Sequence, residues 1–135
     1  MYLVDTNVWL ERLLDQARSE EVGQFLGQVP SDQLFITDFA FHSIGVILTR
    51  LGRTEILPQF VQDLFVDGAV VLVHLRPQET RRVIEVVNDF GLDFDDAYQY
   101  AAAEREGLVI VSFDGDFDRT QRGRRTPAEV LGGSS

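Results

Sequence analysis

The fold class is indicated most clearly by one segment near the C-terminus, Leu108-Val109-Ile110-Val111-Ser112-Phe113-Asp114-Gly115-Asp116. Its four apolar residues are typical of a strand buried on both faces of a parallel sheet. Acidic residues follow the strand directly, so we expect Asp114 and Asp116 at its carboxyl end. In open α/β sheets, ligands bind outside the carboxyl ends of the strands.

Two other segments also place acids at the ends of elements. Tyr2-Leu3-Val4 predicts a strand that ends at Asp5, before a helical pattern begins. Asp95-Asp96 opens an alanine-rich helix that ends at Gly107, where the helix dipole favours negative charge. Asp5 can alternatively be a helix N-cap and Asp96 an ordinary first-turn acid, whereas Asp95 suits a cap or a solvated position. We expect one shared site and, since carboxylates are hard oxygen ligands, a divalent cation in it.

The rest of the chain alternates helices and strands without repeats. This spacing predicts right-handed crossovers and a parallel sheet of four to five strands flanked by helices, an α/β fold in three layers. The predicted elements, in chain order, are a helix capped by Ser19 and ending near Pro30, a strand 34–37, a helix capped by Asp38 and ending at Gly52, a helix from Thr54, a strand 69–75, a helix from Pro77 to Gly91, and a short helix 126–131.

Length and composition suit one domain. The chain has 135 residues, of which 44% are hydrophobic, enough for a core. It has no apolar run of about 18 residues and no basic-then-apolar leader, so we expect a cytoplasmic protein without a membrane span. Cysteine is absent, which excludes disulfides and thiolate metal sites.

The basic residues exclude several chemistries. All twelve are arginine. A P-loop requires a lysine, and receiver domains resemble one another in using a lysine late in the sheet. The chain contains no lysine, so both classes of protein are excluded. A haloacid dehalogenase-type hydrolase would place a second acid two residues after Asp5, where Asn7 stands instead.

The net charge of −10 argues against a nucleic-acid partner, yet part of the acidity lies in the proposed site. A bound cation would offset some of that charge. A local basic stretch beside Asp114 and Asp116 is able to hold a phosphate backbone, although its side chains can equally serve only to solvate a mobile tail. These arginines are Arg119, Arg122, Arg124 and Arg125.

The three acidic segments, in this order, resemble the PIN-domain family, and more narrowly the VapC-type ribonuclease toxins. The resemblance rests on Val4-Asp5-Thr6-Asn7-Val8-Trp9, on Asp96-Ala97 and on Val111-Ser112-Phe113-Asp114-Gly115-Asp116-Phe117. It implies a three-layer PIN-like domain over residues 1–131. The Gly- and Ser-only residues 132–135 are expected to form a flexible tail.

The resemblance also implies a metal-dependent endoribonuclease, the toxin of a toxin–antitoxin pair, that uses Mg²⁺ or Mn²⁺. Asp5 and Asp96 would be primary ligands, and Asp114 and Asp116 would complete the ring directly or through water. Asn7 and Ser112 would orient ligands or water, as outer residues do around metals. A bound cation can activate water and stabilise charge on a phosphate.

One position departs from the resemblance. PIN nucleases usually carry a glutamate on the helix after the second strand, and that place falls on Ser43. His42 and Ser43 are candidates for a weaker ligand or a water contact, and Asp38 lies one turn before His42. The alternative is therefore a degenerate PIN domain that binds RNA or protein without cleaving. His74, within an apolar strand, is expected to be structural.

Partners follow from the same resemblance. It implies a homodimer held inactive by a small VapB-like antitoxin with basic or apolar residues. An acidic protein complements a basic partner segment. We also predict an apolar groove between the first helices and the 39–51 helix that accepts a partner helix, because the chain has more aromatic residues than a small core must absorb. These residues are Phe25, Phe39, Phe41, Phe60 and Phe65, and core packing is the default for most of them.

Overall fold

The protein, described by a computed structural model over residues 1–132, contains a four-stranded parallel sheet. The predicted flexible tail falls mainly on residues 133–135, outside the described residues. The strands are ordered β3-β2-β1-β4, and every neighbouring pair is parallel. Their bounds are β1 Tyr2–Val4, β2 Leu34–Thr37, β3 Val71–Val73 and β4 Val109–Val111.

Seven α-helices flank this sheet within residues 1–132, which confirms the predicted three-layer α/β/α fold. They are α1 Thr6–Leu13, α2 Ser19–Gln28, α3 Asp38–Arg50, α4 Ile56–Val61, α5 Thr80–Phe90, α6 Phe94–Glu106 and α7 Pro127–Leu131. A π-type turn over Gln62–Val66 continues α4. None of the helices in the described part of the chain is long and apolar enough to cross a membrane.

The sheet separates two apolar layers. Alternate residues of a strand point to opposite faces, and Leu3 and Ile110 accordingly join the layer formed with α5 and α6. Val4 and Val111 join the other layer, formed with α1 to α4 and α7. Both faces of the sheet are covered, which explains why its strands are apolar throughout rather than alternating.

The strand order places a crevice beside β1. The chain leaves β1 for β2 and β3 on one side and returns to β4 on the other, so the connections diverge between β1 and β4. Such a switch point opens a crevice at the carboxyl ends of the strands. Asp5 follows β1 and Ser112 follows β4, so both residues reach this position through the sheet itself.

The third strand is shorter than predicted. It spans only Val71–Val73, not 69–75, and it forms one edge of the sheet. His74 therefore lies after the strand and is exposed, so its predicted place inside an apolar strand was wrong. The apolar run was misleading because Val71 and Leu72 are themselves 38% and 49% exposed on this edge.

Three helix caps also differ from the predictions. The N-cap of α3 is Thr37, whose hydroxyl accepts from the Ala40 amide at 2.9 Å, and Asp38 is the first helical residue. Ser19 is likewise the first residue of α2, not its cap. In α6 the cap is Asp93, and Asp95 is an exposed residue, which is the second of the two positions expected for it. Each shift is one or two residues, within the ordinary uncertainty of a boundary read from a pattern.

The segment after Arg124 secures the end of β4. The Arg125 amide donates to the Ile110 carbonyl at 2.8 Å, and the Ser112 amide donates to the Arg125 carbonyl at 3.0 Å. Thr126 and Glu129 then form a capping box at α7, as Pro127 at the first helical position predicts. These bonds hold the backbone at Ser112 from the outer side of the sheet.

Candidate functional site

An acidic cleft of about 300 Å³ lies at the carboxyl ends of β1 and β4. Its walls come from α1, α3 and the start of α6, so distant parts of the chain meet there. Five of its lining residues are aspartates. They are Asp5, Asp93, Asp95, Asp96 and Asp114; the other lining residues are Thr6, Asn7, Leu10, Phe39, Ser43, Ile47 and Gln99.

Asp5 is the buried carboxylate of this cleft, with only 7% of its surface exposed. Its Oδ1 accepts from the Thr6 amide at 2.8 Å and from Gln99 Nε2 at 3.0 Å, while Oδ2 accepts from Ser112 Oγ at 2.7 Å. Burial raises the pKa of Asp5, and these three hydrogen bonds oppose that rise. Asp5 is thus both the α1 cap and a member of the cleft.

Asp96 lies in the first turn of α6, half-buried beside the other acids. Its amide donates to the capping carboxylate of Asp93 at 2.8 Å. Burial, followed by the negative charges of Asp114, Asp93 and Asp5, raises the pKa of Asp96 to about 8. Perturbation by burial together with specific charges in a cleft is a mark of functional sites.

Asp96, Asp114 and Asp116 approach one another closely. Each offers one carboxylate oxygen, and these three oxygens lie within 4.8 Å of one another. Asp114 also caps the short helical turn after β4, since its Oδ1 accepts from the Asp116 amide at 2.8 Å. Asp116 is exposed and lies 3.3 Å from the Arg119 guanidinium, which partly neutralises it.

The donor set fits a divalent cation of the Mg²⁺ or Mn²⁺ type. Such ions prefer carboxylate oxygens and retain several waters, which an open cleft admits. Asp96 and Asp114 belong both to the three-oxygen group and to the cleft lining. Asp5 lines the cleft at its buried end but is not in the three-oxygen group, whereas Asp116 is in that group and lies at the exposed end. A cation near Asp96 and Asp114 would offset the like-charge repulsion that raises the Asp96 pKa.

Ser112 and Asn7 connect the acids of β1 and β4. Ser112, fully buried, donates to Asp5 and accepts from the Asp114 amide at 2.9 Å and from Asn7 Nδ2 at 3.3 Å. The Phe113 amide donates to Asn7 Oδ1 at 3.2 Å. Both residues therefore lie where they can orient the carboxylates.

Gln99 is a site residue that the sequence reasoning missed. It is 3% exposed, donates to Asp5, and accepts from the hydroxyl of Thr37 at the end of β2. The available signal was its spacing: Gln99 is one turn after Asp96, on the same face of an otherwise alanine-rich helix. Asp93 was also missed, because it precedes the helix and stands apart from the Asp95-Asp96-Ala97 segment that carried the prediction.

Only one of the two candidates on α3 lies in the cleft. Ser43 lines it, whereas His42 is exposed and lines a separate cavity with Phe41 and Leu57. Neighbouring helix positions point in different directions, which separates the two side chains. Asp38 accepts from the Tyr98 hydroxyl at 2.8 Å.

The basic stretch is largely engaged with the protein itself. Arg124 forms a two-bond pair with Asp118 and donates to the Ser112 carbonyl at 3.1 Å. Arg122 donates to the Leu108 carbonyl at 2.9 Å. Arg119, Arg122 and Arg125 are exposed, and Arg119 lies beside Asp116.

An apolar cavity larger than this acidic cleft does not involve α3. It has a volume of about 560 Å³ and lies between α1, α2 and α4. Trp9, Leu13, Leu26, Phe60 and others line it. The space between α1 and α3 is instead the acidic cleft, so the predicted position of the apolar groove was wrong. Phe25 and Phe60 are core residues, as 0% and 3% exposure show.

Several solved structures share this architecture although their sequence identity to this chain is low, so the similarity concerns the fold alone. A toxin–antitoxin complex from Klebsiella pneumoniae matches with a TM-score of 0.74 and 20% identity, covering 94% of this chain and 98% of that one. VapC20 from Mycobacterium tuberculosis, described as a sarcin–ricin loop cleaving toxin, matches at 0.75 and 18%, covering 87% and 93%. FitAcB from Neisseria gonorrhoeae matches at 0.74 and 19%, covering 95% and 99%.

The comparison with curated proteins found no match. The PIN domain family, however, matches residues 2–123, which include all three acidic segments. This match agrees with the strand order and with the position of the acids at the strand ends. The chain belongs to the PIN domain family.

Proposed function

We propose that this protein is a metal-dependent endoribonuclease that hydrolyses phosphodiester bonds in RNA. The observation that carries the proposal is the approach of the Asp96, Asp114 and Asp116 oxygens to within 4.8 Å of one another, beside the buried Asp5. Without a cation, such a group is destabilised by like-charge repulsion. With one, the same group becomes a site for phosphate chemistry.

In this proposal Asp96, Asp114 and Asp116 hold Mg²⁺ or Mn²⁺, and Asp5 completes the site from the buried end. When bound, the cation supplies Lewis-acid polarisation of the phosphate and lowers the pKa of a nearby water. Ser112 and Asn7 keep the carboxylates in place through the bonds described above. The open side of the cleft admits the substrate.

Asp96 links this chemistry to pH. Its pKa of about 8 means that it retains a proton near neutral pH when no cation is present. Ligands must be deprotonated to bind a metal, so cation binding releases this proton and weakens as the pH falls. We therefore expect activity to increase between pH 6 and pH 8.

An acidic protein must also overcome repulsion of the RNA backbone. The net charge is −10, and the cleft itself is lined by acids. The cation supplies part of the attraction, and the exposed Arg119 beside Asp116 is placed to contact a phosphate. Arg124 and Arg122 contribute less, because their guanidinium groups already bond to Asp118 and to backbone carbonyls.

The proposed biological role is that of a cytoplasmic toxin, inhibited by a VapB-like antitoxin and acting as a homodimer. Support comes from the overall similarity to a toxin–antitoxin complex. The apolar cavity between α1, α2 and α4 has Arg12 and Asp63 among its lining residues, so it suits an apolar anchor with polar flanks. Co-expression with a VapB-like antitoxin, followed by copurification, tests the pairing, and light scattering tests the dimer.

The nuclease proposal is tested by incubating the protein with a labelled structured RNA pool in Mn²⁺, Mg²⁺ or EDTA. The Asp5→Ala/Asp96→Ala double variant is the control, and a single-stranded DNA pool tests the preference for RNA. We expect metal-dependent cutting of RNA that the double variant lacks. Cutting in EDTA, or equal cutting by the double variant, would refute the proposal.

A second candidate function is supported by Ser43. This residue lines the cleft at the place where the PIN-nuclease pattern has an acid, so the site has fewer negative ligands. A degenerate PIN domain would bind RNA or a protein partner without cutting. RNA binding by the wild type, without cleavage and without thermal stabilisation by Mn²⁺, would favour this function over the nuclease.

A further inference from the structure

A buried hydrogen-bond chain connects β2 to the carboxylate of Asp5 through Gln99. The Thr37 hydroxyl donates to Gln99 Oε1, and Gln99 Nε2 donates to Asp5 Oδ1 at 3.0 Å. All three side chains are buried, at 0%, 3% and 7% exposure respectively. A buried bond of this kind is maintained because an unmatched polar group would be costly.

The orientation of the Gln99 amide follows from the geometry. Thr37 Oγ1 already accepts from the Ala40 amide at 2.9 Å, so its single proton remains for donation to Gln99. The amide oxygen must then face Thr37, and its nitrogen must face Asp5. The reverse orientation would put an NH₂ group against a donating hydroxyl and an oxygen against a carboxylate.

Gln99 also affects which oxygen of Asp5 is free. A carboxylate has about four lone-pair positions, two on each oxygen. Thr6 and Gln99 occupy both positions on Oδ1, and Ser112 occupies one on Oδ2. The one remaining position is therefore on Oδ2, which accepts from Ser112 Oγ. The same Ser112 Oγ accepts from the Asp114 amide, so Oδ2 is the oxygen on the Asp114 side.

We propose that Gln99 is a positioning residue that holds Asp5 so that only Oδ2 can ligate a cation. This inference rests on the proposed function, because it assigns a role within the same site. Gln99 itself would contact neither cation nor substrate; it acts through Asp5. The bond also fixes α6 to β1, and thereby places Asp96, one turn before Gln99, opposite Asp5.

The test is Mn²⁺ binding to the full chain without RNA, measured by isothermal titration calorimetry. In Gln99→Met, a side chain of similar shape replaces the amide but cannot donate. We expect its dissociation constant for Mn²⁺ to rise by about 10- to 100-fold, the usual effect of removing a partner that orients a ligand. Ser19→Ala is the matched control, because Ser19 is also buried and accepts from Arg12 but lies outside the cleft. The control should bind Mn²⁺ like the wild type.

A second pair of variants covers the case in which Gln99→Met does not fold. Thr37→Val removes the hydroxyl that orients the amide, and Thr37→Ser keeps it. We expect Thr37→Val to weaken Mn²⁺ binding and Thr37→Ser, which keeps both the α3 cap and the bond to Gln99, to restore it.

The outcomes distinguish this inference from the proposed function. If the wild type binds Mn²⁺ and both Gln99→Met and Thr37→Val bind it equally well, the role of Gln99 is refuted and the nuclease proposal stands. If the folded wild type binds no Mn²⁺ at all, the metal-dependent function is refuted, and the role of Gln99 with it.

Discussion

Replacing Asp96 with asparagine should make the metal-free protein more stable at pH 9. At that pH, above the Asp96 pKa of about 8, the wild-type carboxylate is ionised beside Asp114 and Asp116. The asparagine amide removes one of these charges and is able to donate to the Asp114 carboxylate. Most substitutions of half-buried residues destabilise, so the expected sign is unusual.

The magnitude follows from the spacing of the oxygens. At the 4.8 Å limit, two unit charges repel by about 3.5 kcal/mol at an effective dielectric constant near 20 and by about 0.9 kcal/mol in water. Because Asp96 is only half-buried, we expect a gain near the lower value, about 1 kcal/mol. At about 2.1 cal/mol/K per residue over 135 residues, this gain corresponds to a rise in Tm of about 3 to 4 °C.

Mn²⁺ should reverse the order of stability. At 100 times its dissociation constant, Mn²⁺ should stabilise the wild type by about 2.7 kcal/mol, whereas Asp96→Asn should gain much less. Differential scanning calorimetry at pH 9, with EDTA and then with Mn²⁺, measures both effects. Asp89→Asn is the control for charge, since Asp89 is an exposed acid of α5 outside the cleft. An Asp96→Asn protein that is less stable than the wild type in EDTA would refute the reasoning.

Three further predictions concern pH, the core and RNA binding. The fold raises the pKa values of Asp5 and Asp96, so the folded state keeps protons that the unfolded chain releases near pH 3.8. In EDTA, the urea concentration at the midpoint of unfolding should therefore fall as the pH rises towards 8, and a rise would contradict this reasoning. Trp9→Ala should lower the free energy of unfolding by about 3 to 5 kcal/mol, because Trp9 is 1% exposed and donates to a backbone carbonyl; a loss below about 1 kcal/mol in urea titrations would contradict its core role. Arg119→Gln should weaken RNA binding and reduce the slope of log affinity against log salt concentration by about 1, whereas Arg81→Gln on α5 should change neither. Equal effects of the two variants in filter binding would argue against a phosphate contact at Arg119.

The sequence predicted the fold well, because each strand is a short apolar run followed by a turn or a helix start. Asp5 and Asp114 could be placed together, because Asp5 directly follows β1, Asp114 lies three residues after β4, and the carboxyl ends of these two neighbouring strands lie side by side. Asp96 could be placed with them because α6 runs directly into the start of β4, so α6 must begin at the carboxyl ends of the strands. The strand order was not predicted, since no local pattern distinguishes an edge strand such as β3 from an inner one.

The interior of the site was harder to predict. Gln99 bonds to Thr37 and Asp5, which are 62 and 94 positions away in the sequence, and only the folded backbone brings them together. Arg124 was expected at the surface, yet its guanidinium finds Asp118 and the Ser112 carbonyl. Such pairings depend on tertiary distances, which local periodicity does not contain.

The most direct test of the central claim compares two acids of one segment. Asp114 lines the cleft, whereas the nearby Asp118 is exposed and pairs with Arg124. RNA cleavage in Mn²⁺ should be measured for Asp114→Asn and Asp118→Asn, which change the net charge equally. We predict that Asp114→Asn loses metal-dependent cleavage and Asp118→Asn retains it. Equal activity in both variants would contradict a nuclease site at the ends of β1 and β4.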